Sequence, residues 1–319
     1  MSEFNTKFKQ KLFSDFKAKD LTDSSVNLYL RNLEKLNGNL PLKNLKFLDN
    51  VEEINKKLEP YKQNTIRNYL ISCVSVLGLD KSTKKKEKLY NDYFKLMMDK
   101  NKSLKAEEQK NEKSETQTKN WIEWSEVLKT YENLKTVVDT FKSKANINDK
   151  QYKYLLEFMV LSLYTLLPPR RNEFRNMFIV NKDTGNLSTA CNYIVLSTKQ
   201  IIFNQFKTSR KEGALHEDIP NELYENILTY MKFHPLLKGK KLKAMQQIPF
   251  LVYDDGKPLD KINSITRVLN GIFKKNIGSS MLRHSYLSSK YGSVRQDMAD
   301  DAKAMSHSVG TQQTNYVKV

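Results

Sequence analysis

Cysteine is nearly missing from this chain: Cys73 and Cys191 are the only two among 319 residues. Two thiols cannot build a disulfide framework, and these lack the paired spacing of a zinc site. The expectation is a reducing, intracellular setting without a structural metal, in which both act as small buried apolar residues. Long apolar runs are missing too. The first ten residues contain no stretch of signal-peptide length, and nothing approaches the roughly 20 apolar residues of a membrane span. A soluble protein with no membrane partner is expected. Acidic residues are in the minority, with 36 Asp and Glu against 54 Lys and Arg and a formal net charge of +18. That balance attracts a polyanion and makes nucleic acid the leading partner, although basic proteins of the membrane surface share it.

The length suits two domains better than one core. Residues 1–102 read as an all-α domain, because apolar positions recur at helical spacing in Phe8, Leu12, Phe13 and Phe16, in Val26, Leu30 and Leu33, and in Ile66, Leu70, Cys73 and Leu77. Helix starts are expected near Thr22-Asp23-Ser24-Ser25 and Asn64-Thr65, with Gly78 closing the second. Lys84, Lys85, Lys86 and Lys88 then crowd one short segment. They could touch DNA phosphates or form a solvated face. Residues 103–120 are almost wholly polar and read as an interdomain linker.

A second domain, residues 121–319, opens at Trp121-Ile-Glu-Trp124, and its second helix runs from about Asp149 to Leu166 before Pro168-Pro169 stops it. The β-branched and aromatic segments 193–196, 200–206 and 215–219 predict a short antiparallel sheet. Helices follow over about 221–232, 260–276, 280–291, 294–305 and 308–316. The fold class expected is therefore mainly α with a small antiparallel β-sheet. No internal repeat is visible. Asp254-Asp255 precede Gly256 and read as a turn rather than a metal site, while His216 and His234 stand in no motif.

Four elements carry chemistry, in this order: Pro168-Pro-Arg170-Arg-Asn-Glu173, Phe206-Lys207, Ser280-Met-Leu-Arg283-His284, and His307 with Tyr316 nine residues on. Splitting a phosphodiester without a metal needs a nucleophile, cations for the charge that builds on the non-bridging oxygens, and an acid for the departing 5′ oxygen. Arginine suits the clamp because its planar fork donates paired hydrogen bonds and stays charged. Arg170 and Arg283 are the candidates, with Arg171 competing for the first place. Lysine suits the acid, and Lys207 fits, with Arg210 and Lys211 competing on the same turn. His307 can donate a hydrogen bond to phosphate, and Tyr316 can form a phosphotyrosine that conserves bond energy for religation. No cofactor is called for.

On these motifs residues 120–316 resemble the catalytic domain of tyrosine recombinases of the phage lambda integrase type. The family pattern has Arg-x-x-Glu/Asp, matched by Arg170 and Glu173. It places a lysine on a β-hairpin, matched by Lys207, and then His-x-x-Arg-His, matched by Arg283 and His284. Gly-His ahead of the tyrosine is matched by His307 and Tyr316. The N-terminal helices resemble the family's core-binding domain, which would close with the catalytic domain around DNA. The resemblance implies a site-specific recombinase or integrase that cuts and rejoins double-stranded DNA through a 3′-phosphotyrosyl intermediate. It also implies a homotetramer on synapsed sites and a mobile element or large DNA virus as the kind of source.

Three departures stand out. Ser280 occupies the first histidine position of His-x-x-Arg, Ser306 replaces the glycine before His307, and only Val317-Lys-Val319 follow Tyr316, where family members often exchange a C-terminal helix. With His284 next to Arg283, Ser280 leaves open what takes the tyrosine's proton. A type IB topoisomerase-like enzyme and a catalytically silent DNA-binding protein of the same fold are the alternatives.

Overall fold

The computed structural model describes residues 6–109, 113–243 and 246–316. The chain divides into two compact units, Met1–Glu112 and Lys113–Val319.

The first unit is helical: α1 (Lys7–Lys17), α2 (Asp23–Leu36), a 3₁₀ turn (Lys46–Leu48), α3 (Val51–Leu58), α4 (Gln63–Leu77) and α5 (Lys84–Gln109). Thr6, Thr22 and Asn50 begin α1, α2 and α3 by accepting from the backbone N–H of Lys9, Ser25 and Glu53, which satisfies donors that a helix start leaves open. The apolar stripes meet in a core around Phe16, Val26, Leu33, Ile54, Leu70 and Cys73. A buried Asn32 donates to Ser72 Oγ at 3.0 Å across α2 and α4. Tyr93 on α5 donates to the Leu48 carbonyl at 3.0 Å, tying the long helix to the 3₁₀ turn.

Two expectations shift here. Helix α4 begins at Gln63 with no side-chain cap from Lys62, just before Asn64-Thr65. Gly78 does close it, but in a right-handed conformation. Its value is close approach, since a Cβ there would lie 3.1 Å from the Val74 carbonyl oxygen. Among the described residues of the polar stretch 103–120, most are helical rather than unstructured: α5 runs on to Gln109, and α6 (Glu115–Asn120) starts at a capping box of Ser114 and Gln117. Its Lys, Glu, Gln, Ala and Leu residues are good helix formers whatever their polarity.

The second unit contains α7 (Trp124–Asp139), α8 (Asp149–Thr165), β1 (Met177–Val180), β2 (Asn192–Val195), β3 (Gln200–Phe203), α9 (Ser209–Glu212), β4 (Leu215–Asp218), α10 (Asn221–Lys232), β5 (Gln247–Pro249), α11 (Ser264–Phe273), α12 (Ser279–Ala304) and α13 (Val309–Thr311), which runs into a π turn (Gln312–Tyr316). Helix α8 is buried almost all round between α7, α10 and α11, as its largely apolar sequence from Leu155, interrupted only by Glu157 and Ser162 before its last turn, requires. Pro168 and Pro169 follow its end, as expected.

The sheet is mixed rather than antiparallel. Its order is β4-β3-β2-β1-β5, with β1 and β2 parallel and the other pairs antiparallel. Strands β1 and β5 add to the three anticipated segments. The two helices expected over 280–291 and 294–305 are one continuous α12, with Gly292 tolerated inside it. Helix α11 is shorter than 260–276 and ends where Lys274 turns left-handed, at φ 53°. Cys73 is buried and Cys191 only half-buried. Among the described residues, no helix is long and apolar enough to cross a membrane.

Candidate active site

After α8 the chain cannot stay helical through Pro168-Pro169, so residues 170–173 leave as an irregular segment. The buried Tyr164 hydroxyl donates to the Arg171 carbonyl at 2.7 Å and pins that segment to the helix end. Burial pushes this phenol well above its ordinary pKa, so it remains a donor. Rings of Tyr164, Phe174 and Phe203 pack in succession, with centroids 5.4 and 5.9 Å apart. The Arg170 guanidinium lies 4.0 Å over the last of them. Such stacking fixes the plane of the fork and contributes about 0.5–1 kcal/mol.

Asn192, 5% exposed at the start of β2, joins this segment to the one that carries the lysine. Its Nδ2 donates to the carbonyls of Glu173 and Gln205, both at 3.0 Å, while its Oδ1 accepts from the Gln205 N–H at 2.7 Å. Lys207 follows two residues later, in the turn that leads from β3 through α9 to β4. A second link reaches α12. Ser279 Oγ donates to Asn172 Oδ1 at 3.2 Å, and Arg283 lies one helical turn further on. Ser285 Oγ donates to the Ile122 carbonyl at 2.7 Å and holds the same helix from its other side.

These links converge on a depression of about 360 Å³ whose charged lining is Arg170, Arg171, Glu173, Lys207, Glu212 and Arg283. Four cations against two carboxylates make it a place for an anion with several oxygens. Of the competing cations on the hairpin, Arg210 and Lys211 are exposed on α9 and do not line it. Both arginines of the Arg170-Arg171 pair do.

Arg170 is not paired with Glu173, its neighbour in the Arg-x-x-Glu motif. It forms an ion pair with Glu217 on β4, and Glu173 Oε2 is buried without a hydrogen-bond partner. Residues 170–173 are not helical, so three-residue spacing does not bring these side chains together. Compared with known proteins, the chain matches no family model, no curated protein and no solved structure at a significant level. Geometry alone must then speak for the depression.

The remaining expected residues lie elsewhere. Ser280 and His284 are exposed on α12 and are not among the lining residues; the buried serine that touches the arginine segment is Ser279. His307 and Tyr316 stack on each other, with centroids 5.2 Å apart and planes at 21°, but neither lines the depression. Tyr316 is 67% exposed. Ser306 takes a left-handed conformation at φ 59°, the kind of position that glycine fills without strain. In the first unit Lys84, Lys85, Lys86 and Lys88 are all exposed at the start of α5, with Lys85 reaching Asp49 at 3.2 Å and Lys86 reaching Asp80 at 2.5 Å. Asn192, Ser279 and Glu217 had no motif to announce them. For Asn192 and Glu217 the only signal is a polar residue at an inward strand position, and Ser279, at a helix start where serine is ordinary, carries none.

Proposed function

We propose that the chain is a DNA strand transferase of the tyrosine recombinase kind, with the depression as its phosphate site. The carrying observation is the convergence of Arg170, Lys207 and Arg283 from three separate segments onto one small, cationic recess. A scissile phosphate held there would receive paired hydrogen bonds from the two guanidinium forks as charge grows on its non-bridging oxygens. Tyr316 Oη attacks phosphorus, the bond to O5′ breaks, and the Lys207 ammonium gives its proton to the leaving oxygen. The tyrosine proton passes to water, since neither Ser280 nor His284 lines the recess. Religation reverses each step, with the 5′ hydroxyl as nucleophile and tyrosine as leaving group.

The exposed position of Tyr316 sets a condition on this reading. DNA binding must draw the segment from Met305 to Tyr316 toward the recess, carrying His307 with it. Double-stranded DNA is the partner, and assembly as a homotetramer on paired sites belongs to the same proposal. The test is covalent trapping in EDTA on nicked and supercoiled DNA of varied sequence. A detergent-stable adduct formed by the wild type and lost in Tyr316→Phe supports the reading, after which product topology separates recombination from relaxation. DNA binding with no adduct on any substrate favours a silent DNA-binding protein.

A further inference from the structure

The guanidinium of Arg170, one of the cations lining the recess, is engaged by the carboxylate of Glu217, which is not itself a lining residue. Strands β3 and β4 pair with Phe203 opposite Leu215 and Ile201 opposite Glu217, so the period of two sends Leu215 and Glu217 to the same face of β4 while His216 and Asp218 point outward. An inward position of a half-buried strand is ordinarily apolar. Here it carries a carboxylate aimed at Arg170, whose guanidinium is already held flat on Phe203. The two side chains are only 20% and 33% exposed, so the pair is partly shielded from water. Meanwhile Glu173, the nearer acid in sequence, keeps a buried oxygen without a partner.

We infer that Glu217 is an internal counter-ion that a DNA phosphate must displace from Arg170 before the recess can bind DNA. This rests on Arg170 being a phosphate contact. A carboxylate and a phosphate present the same two-oxygen edge to a guanidinium fork, and the edge facing Glu217 accepts only one of them. The occupied state leaves the recess with one fewer available cation, which lowers its affinity for polyanions in general. Displacement also returns a negative charge to solvent, where it gathers a cation. The net release of ions on DNA binding is then smaller by about one than the phosphate contacts alone would give.

The test measures equilibrium binding of a generic DNA duplex over a range of salt concentrations, for wild type, Glu217→Gln, Arg170→Ala and the double variant. Glu217→Gln should bind about two- to fivefold more tightly, the range set by a partly exposed ion pair. Its plot of log affinity against log salt should be steeper by about 0.9. Both gains should vanish when Arg170 is alanine. An unchanged or weaker Glu217→Gln overturns the inference, as does an equal gain in the Arg170→Ala background, which would mark Glu217 as merely one negative charge near DNA. If Arg170→Ala alone leaves affinity and salt slope untouched, the phosphate-contact reading fails and takes the inference with it. Should Glu217→Gln not fold, Glu217→Thr, a residue suited to strands, repeats the comparison.

Discussion

Asn192 binds the backbone of Glu173 to the segment that carries Lys207, donating from Nδ2 to the Glu173 carbonyl at 3.0 Å.

Asn192→Leu removes that clasp and leaves two carbonyls and one N–H without their partner. Each buried orphan costs about 1–3 kcal/mol, partly relieved by water, so the variant should lose roughly 2–3 kcal/mol of stability. Urea denaturation checks the magnitude. DNA affinity measured where the variant is still folded should fall further than stability alone explains, because Arg170 and Lys207 lose their common frame.

Lys207→Ala and Lys211→Ala separate the competing lysines. Loss of a general acid lowers the rate of strand cleavage by about 10²–10⁴, whereas an exposed lysine off the recess should change it only slightly. A substrate with sulfur in place of the 5′ bridging oxygen needs no proton on departure. It should restore cleavage to Lys207→Ala, and a failure to do so would assign that lysine to binding.

Ser306→Gly should stabilise the second unit. A left-handed serine costs about 1–2 kcal/mol, and glycine returns part of that gain through its greater freedom when unfolded, leaving about 0.5–1 kcal/mol. Thermal unfolding reads the difference directly. An unchanged or lower midpoint would mean that Ser306 is not left-handed in solution.

Acidification should weaken the second unit through His234. Its Nε2 lies 3.1 Å from the carbonyls of Pro249 and Phe250, and its Nδ1 accepts from the Leu236 N–H, an arrangement that fits one neutral tautomer. Burial lowers its pKa below the ordinary value of 6.5. The unfolded chain therefore takes up a proton more readily than the folded chain, and stability falls as pH drops below about 6.5. Urea midpoints from pH 8 to 5 should show this slope for the wild type and a shallower one for His234→Asn.

Much of the fold was legible from local rules. Helix α10 spans Asn221–Lys232, as its periodicity predicted, and α2 starts at its Thr22 cap. Strands β1 and β5 were not legible: one is a four-residue apolar run beside a loop, and the other is three residues ending in proline. The parallel pairing of β1 and β2 depends on packing that no local pattern encodes. Composition misled for 103–120, because polar residues that cannot form a core can still form helices. The motif spacing singled out Arg170, Lys207 and Arg283, which line one depression, and also Ser280, His284, His307 and Tyr316, which do not. It could not supply Glu217, which lies 47 residues from Arg170 in sequence and belongs to no motif.

The most direct test of the central claim is to identify the residue that joins DNA. Adducts formed in EDTA on nicked duplexes of mixed sequence would be digested with protease and nuclease and mapped by mass spectrometry. The expected product is a nucleotide attached through its 3′ phosphate to the peptide containing Tyr316, with a free 5′ hydroxyl on the released strand. A nucleotide on any other residue, or cleaved strands with no protein attached, would contradict it.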